Sequence, residues 1–532
     1  MSASITLPSA RTQRILLLVC VSVPSFMINL DANIVAVSLP TIARSMHADF
    51  AAIEWVVSAY TLTFGCFVLP AGSLADRYGR KRVLLLGLAI FTAASFLCGA
   101  APSAAVLNSA RALQGIGAAL QLSAALAILS HSFSGPERAR AFAFWGMVVG
   151  IAITLGPLAG GIITQSLGWE WAFFVNIPVG AALIPLVFHA VDESTTPRAE
   201  RVDFVGFALF SSAVFALTLA LISGNSHGWS SAPVVFAFGC AALLLAGFFV
   251  AETRQRTPMI DLSLFRRPTF LGANIAALAF AGSLLTMLTY LPMYFQSTLG
   301  FEPQQAGLLM LPLVAPLFIV PRLVAVHLSH RLSGRALLTA GLLLVTAGLI
   351  ALAIAVPCFN YVALIAGLVV AGVGAGVLNG EVVKVGMTVI PAKRSGMASG
   401  VSGTVRFTGI VIGFAALGAV LTARTKSVLG SGLKNLGSAV GASHTGHMAL
   451  LRSVVAGDLS GAVSGAPAAA RSALHSLVLA SFGAGFQAIL FTAAGFAAVS
   501  ALLTWALVRR EETEAVEQKS RTLQSGPFIP ME

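Results

Sequence analysis

Six ionisable side chains of this 532-residue chain stand inside otherwise apolar stretches: Asp31, Arg111, Arg322, Glu381, Lys384 and Arg406. A charge at the centre of a membrane-length segment costs at least about 2.5–3.5 kcal/mol on insertion scales, so such groups are functional by default. Asp31 and Glu381 are the two acids read as deep. Asp31 stands nine residues before Pro40, and Arg111 eight residues into the fourth apolar run. At the helical rise these positions lie about 14 and 12 Å below the same face. Glu381 lies ten residues before Pro391, and Arg406 ten after Gly396. That places both about 15 Å from the opposite face. Lys384 sits one turn from Glu381 on the same side of its helix. An acid beside a guanidinium, shielded from water, can gain and lose a proton within the membrane. An ion pair that only offsets its own insertion cost is the competing reading.

The elements that must hold these groups follow from composition. The chain is 57% hydrophobic and 10% charged, with mean hydropathy +0.89. A soluble domain carries about 25% charged residues. A soluble enzyme, a disordered chain and a nucleic-acid-binding domain are therefore excluded, and an all-α polytopic membrane protein is predicted. Fourteen apolar runs reach spanning length, at about 15–38, 52–74, 83–101, 104–130, 139–164, 171–190, 204–223, 232–251, 270–295, 304–328, 336–356, 360–390, 396–421 and 480–508. The first run passes Asp31 without a small-residue cleavage site, so it reads as a retained helix rather than a signal peptide.

The net charge of +12 has a topological origin. With the N-terminus inside, 22 of the 32 Lys and Arg residues fall on the inner side and one, Arg44, in a short outer loop. Basic residues concentrate on the cytoplasmic side of membrane proteins. Both termini are expected there, in a bacterial inner (plasma) membrane. The five cysteines show no paired spacing, and no metal-ligand, nucleotide-loop or nucleophile-elbow motif appears. No cofactor is expected.

The chain also repeats itself weakly. Leu74-Ala-Asp-Arg-Tyr-Gly-Arg-Lys-Arg82 recurs, displaced by 254 residues, as Leu328-Ser-His-Arg-Leu-Ser-Gly-Arg-Ala336. Pro136-Glu-Arg-Ala-Arg140 recurs 255 residues later as Pro391-Ala-Lys-Arg-Ser395. Duplicated halves around a midplane path are a transporter architecture. The expected organisation is a six-helix half at 1–190, two inserted helices with linkers at 191–267, and a six-helix half at 268–510. The last half carries a long outer loop at 422–479, and a cytoplasmic tail follows at 511–532.

Gly72-Ser-Leu-Ala-Asp-Arg-Tyr-Gly-Arg-Lys-Arg82 resembles the loop signature of the major facilitator superfamily, and Arg111-Ala-Leu-Gln-Gly-Ile-Gly117 resembles its helix-4 motif. Gly146-Met-Val-Val-Gly150 with Gly156-Pro-Leu-Ala-Gly-Gly161 is similar to the helix-5 motif of proton-driven exporters. Leu30-Asp-Ala-Asn33 and Trp169-Glu-Trp-Ala-Phe-Phe-Val-Asn-Ile-Pro178 resemble segments of the fourteen-helix drug:proton antiporter branch. The resemblance implies the major facilitator fold and multidrug efflux by alternating access, with small fairly apolar molecules exchanged for protons. Asp31, Arg111, Glu381, Lys384 and Arg406 would carry protons or contact substrate. Gly72, Asp76, Arg77, Gly79 and Arg80 would form a gate loop, with Asp76 latching onto the helix start near Ser395. Gly146, Gly150, Gly156, Pro157 and Gly160 would line a seam between helices 5 and 10. Helix packing alone would use the same glycines. Gly372, Gly376 and Gly380 would bring Glu381 against a neighbouring helix, facing Arg406. His330 replaces the acid in the second copy of the loop, so only the first half keeps a complete gate.

The expected partners are a small-molecule substrate, protons and the lipid bilayer. Nucleic acid is not among them, and the sequence does not decide for or against a periplasmic adaptor. The deep groups sum to +2, which argues against a dedicated dication exporter. A metabolite exporter or uptake porter of the same fold would share these motifs. A membrane-embedded enzyme would need a nucleophile–base or metal constellation, which is not found.

Overall fold

The computed structural model describes residues 10–512 apart from 47, 49, 134, 196–202, 256–259, 261, 330, 391–394, 437–449, 452, 456–457 and 465–467. Among the described residues thirteen helices are long and apolar enough to cross a membrane, and fourteen when one bent pair counts as a single span. They are α1 (Thr12–Ser45), α2 (Ala52–Val68 and Pro70–Tyr78), α3 (Arg80–Gly99), α4 (Ala104–Ser132), α5 (Arg140–Ser166), α6 (Trp171–Ala190) and α7 (Phe204–Gly224). Then follow α8 (Ala232–Arg254), α9 (Pro268–Ser297), α10 (Pro303–Leu328), α11 (Gly334–Cys358), α12 (Tyr361–Thr388), α13 (Gly400–Lys434) and α14 (Arg471–Leu507). The fourteen predicted runs are all helical.

Backbone breaks have local causes. α2 bends by 50° at Pro70, whose ring cannot continue the hydrogen-bond ladder. α9 widens into a π-turn at Ala281–Leu285, and α10 ends in another at Val324–Leu328. Such turns interrupt helices frequently at functional sites. α13 belongs to a continuous helix of 42 residues, Ser395–Leu436, and α14 to one of 40, Ala468–Leu507. At the helical rise each is about 60 Å long, well beyond a bilayer of about 40–45 Å. Much of the expected outer loop at 422–479 is therefore helix.

The chain forms two compact units. One contains Met1–Met259, Leu288–Met310 and Thr425–Phe482; the other contains Ile260–Met287, Leu311–Arg424 and Gly483–Glu532. The first unit gathers α1–α8 with the ends of α9 and α10 that flank their connection, the end of α13 and the start of α14. Within it α1 packs on α5, α2 and α3 pack on α4, and α7 on α8. Within the second, α11 and α10 both pack on α12.

Candidate functional site

Asp31 and Arg111 meet. Arg111 Nη1 donates to Asp31 Oδ2 at 2.7 Å, and the two side chains are 2% and 0% exposed. Two helices, α4 and α6, supply the remaining donors. Gln114 Nε2 and Asn176 Nδ2 each donate to Asp31 Oδ1 at 2.9 Å. Gln114 is on the face of Arg111 one turn on, and its Oε1 accepts from Arg111 Nη1 at 2.6 Å. The Gln114 amide also donates to Ser95 Oγ on α3. Arg111 Nε donates to the Val56 carbonyl, and the guanidinium lies over the Tyr60 ring at 4.0 Å and the Phe173 ring at 5.7 Å. Arg, amide NH2 and ring faces all complement an anion–cation pair. The side chains that reach the Asp31 oxygens are all donors, one guanidinium and two amide NH2 groups.

The gate-loop residues lie at the end of α2 and the start of α3. Arg80 reaches back to Asp76 Oδ1 at 2.8 Å, and Arg77 lies over the Tyr78 ring. Gly72 is half-buried inside α2. Gly79 has φ 113°, a conformation that favours glycine, and a Cβ there would collide with the Glu193 carboxyl. Glu193 was not anticipated. Its two oxygens accept from the backbone amides of Lys81 and Arg82 at 3.1 and 3.3 Å, and Arg82 Nε lies 3.6 Å away. These amides open α3, where helix amides lack internal partners and the dipole favours an anion. Glu193→Ala is expected to cost about 0.5–2 kcal/mol, the usual loss of a helix cap. A thermal melt in detergent checks this. The helix start near Ser395, expected to hold Asp76, belongs to the other compact unit, and His330 lies outside the described residues.

On α5 the glycines divide between two neighbours. Gly156 faces Asn33, and a Cβ at Gly160 would stand 2.8 Å from the Ile34 Cα, so both press on α1. The α10 side is met by Gly161, against Pro303 and Gln304, and by the Pro157 carbonyl, against Gly307. Of the residues read for a seam with α10, Pro157 meets that helix, while the contact beside it falls to Gly161 rather than Gly160. Gly146 faces open space, and Gly150 is half-buried.

The family model for the Major Facilitator Superfamily matches residues 21–414. The chain belongs to the major facilitator superfamily. It is 39% identical over 420 residues to the multidrug resistance protein Stp of Mycobacterium tuberculosis, covering 79% of this chain and 78% of that protein. It is 34% identical to the methylenomycin A resistance protein of Streptomyces coelicolor, covering 74% and 83% of the two chains. The structure also resembles the crystal structure of a bacterial homologue of the human lysosomal transporter Spinster. The TM-score is 0.63 and the identity 16%, over 98% of this chain and 100% of that one. The predicted fold class holds, and the chain is a membrane transporter.

In the second half of this superfamily member the expected pairing changes. Glu381, 4% exposed, meets Lys384 on its own helix, Nζ to Oε2 at 3.3 Å. Arg406 instead donates to Asn379 Oδ1 at 3.4 Å and lies over the Phe280 ring. The depth argument was correct to half a turn, but two residues along a helix are about 200° around it. The Gly372/Gly376/Gly380 ridge faces α10, at Leu313, Pro316 and Pro321, not the helix that carries Arg406. Arg322 and Lys384 are exposed, so neither is enclosed by protein as Arg111 is. A double-mutant cycle on thermal midpoints is expected to give a larger coupling for Glu381 with Lys384 than for Glu381 with Arg406. Glu381 and Arg406 should add within about 0.5 kcal/mol.

A further buried acid that contacts a distant helix escaped the sequence reading. Glu54, 3% exposed, lies near the start of α2 and hydrogen-bonds the Tyr290 hydroxyl of α9. It stands close to a run boundary, where hydropathy reads an acid as loop. Gln114 and Asn176 were also missed as ligands, although both lie inside quoted motifs. Gln114 could have been found from its i+3 spacing to Arg111.

Proposed function

We propose that this transporter exports small, fairly apolar compounds by alternating access, in exchange for protons moving inward. The observation that carries the reading is the enclosed Asp31–Arg111 pair with its Gln114 and Asn176 donors. A titratable group sealed at depth couples an ion gradient to shape when its two protonation states favour different conformations. Asp31 as carboxylate fits the donor shell described above. Protonation from the outer side removes the charge that Arg111, Gln114 and Asn176 are arranged around, and so favours an arrangement with that shell opened. Return of the proton to the inner side restores it.

The relatives support export. Besides Stp and the methylenomycin protein, a protein named drug efflux pump JefA of Mycobacterium tuberculosis is 34% identical, covering 75% of this chain and 78% of that one. The tetracenomycin C resistance and export protein of Streptomyces glaucescens is 29% identical. That name favours a second reading, in which the cargo is a product of the cell's own metabolism rather than a foreign drug. Both termini are assigned to the cytoplasm, in the bacterial inner membrane, from the distribution of Lys and Arg.

Everted membrane vesicles test the proposal. Uptake of candidate compounds into vesicles bearing an acid-inside gradient should exceed uptake without the gradient, and a protonophore should abolish the difference. Accumulation that ignores the gradient would remove the proton from the mechanism. Compounds moved only in the opposite direction would make the protein an uptake porter.

A further inference from the structure

The second copy of the cytoplasmic loop builds a cavity of about 310 Å³ lined by Arg331, Leu332, Ser333, Arg335, Ala336, Trp505 and Arg510. Three of its seven lining residues are arginines, and none is acidic. The Arg335 guanidinium stacks on the Trp505 ring at 3.8 Å. Arg335 Nε is buried with no hydrogen-bond partner among the described residues. The cavity sits at the start of α11, where Ser333 caps Ala336 N at 3.3 Å. All of these residues belong to one compact unit.

The matching corner of the first half holds an anion. There the start of α3 is closed by Glu193, the third residue after α6 ends at Ala190. The third residue after α14 ends, at Leu507, is Arg510. The last helical turns match as well, with Val191 N on Val187 O and Val508 N on Thr504 O. By the 254-residue offset Arg77 and Lys81 correspond to Arg331 and Arg335. The second half thus keeps the bases and puts a base where the first half has its closing carboxylate.

We propose that the cavity binds the phosphate headgroup of an anionic phospholipid, which pairs with Arg331, Arg335 and Arg510 while Ser333 keeps the cap of α11. A lipid is favoured over free phosphate because the corner faces the acyl chains. Trp505 is 49% exposed, and Leu502, Leu503 and Leu332 beside it are 72%, 44% and 41% exposed. An amphipathic ring at that level and basic side chains between helix ends are the usual setting for anionic headgroups. The assignment of this face to the anionic cytoplasmic leaflet rests on the orientation proposed above.

The purified full-length protein tests the proposal without any transport measurement. Native mass spectrometry in detergent, with phosphatidylglycerol or phosphatidylcholine added, should show selective retention of phosphatidylglycerol. At about fivefold per basic residue, R331Q/R335Q/R510Q should bind it roughly 100-fold more weakly. Because Arg335 is half-buried, the R331Q/R510Q double variant serves if the triple does not fold, with an expected weakening of about 25-fold. The outer-face variant R44Q/R424Q should retain the lipid like the wild type. Inorganic phosphate at millimolar concentration should not displace it. Equal retention by the wild type and both cavity variants overturns the proposal, as does equal binding of phosphatidylcholine. Displacement by inorganic phosphate alone makes the cavity a free-anion site and overturns the lipid assignment. Selective binding in detergent alongside transport that ignores a proton gradient would leave this site standing and remove the coupling mechanism.

Discussion

Asp31→Asn is expected to give a folded, membrane-inserted protein that no longer moves substrate against a proton gradient. Asparagine keeps the size and its carbonyl can still accept from Arg111, while the group no longer titrates. Gradient-driven uptake into everted vesicles should fall to the level seen with a protonophore, and downhill exchange of substrate should continue. The pH dependence of transport should flatten as well. If the variant still transports uphill with the wild-type pH profile, Asp31 is a structural partner of Arg111 and the proton travels elsewhere. Glu54 and Glu381, buried acids of α2 and α12, would then be the next groups to replace.

Arg111→Ala should be the more damaging change to the fold. Removing the guanidinium leaves Asp31, which is 0% exposed, as an uncompensated carboxylate. Breaking a buried pair in this way costs about 3–5 kcal/mol. The Val56 carbonyl loses its side-chain donor at the same time, and Gln114 Oε1 keeps only the Cys98 thiol. Arg111→Lys should fall between wild type and alanine. It keeps the charge, but a single ammonium cannot reach Asp31, Gln114 and the Val56 carbonyl while lying flat on Tyr60. Size-exclusion profiles after a heat step rank the three proteins. The Asp31→Asn/Arg111→Gln double variant should recover much of the lost stability and none of the proton-driven transport. A double variant as unstable as Arg111→Ala alone would show that the arginine acts through its other contacts.

The sequence by itself determined the spans, because the hydrocarbon thickness imposes a length that hydropathy records directly. It also determined that Asp31 and Arg111 lie at one depth, since depth is residue count multiplied by a fixed rise. Where those two assumptions stop, legibility stopped. α13 and α14 continue past the membrane through Ala-, Ser- and Gly-rich sequence, where helix persists without apolar length to mark it. Glu54 is buried near a helix start because α9 lies against it, a contact separated by more than two hundred residues in the chain.

What only the tertiary structure decided is azimuth, the direction in which each residue leaves its helix and the neighbour it meets there. The glycine spacing on α5 and α12 announces close packing, but the same spacing serves any partner. Packing chose α1 for Gly156 and Gly160, and α10 for the α12 ridge. Arg406 reaches Asn379 rather than Glu381 because two positions turn a side chain about 200°. Glu193 became the cap of α3 because the chain leaving α6 passes over that helix start, a path no local pattern encodes. Rise along a helix is a property of the backbone and can be counted; rotation about it acquires meaning only from the helix alongside.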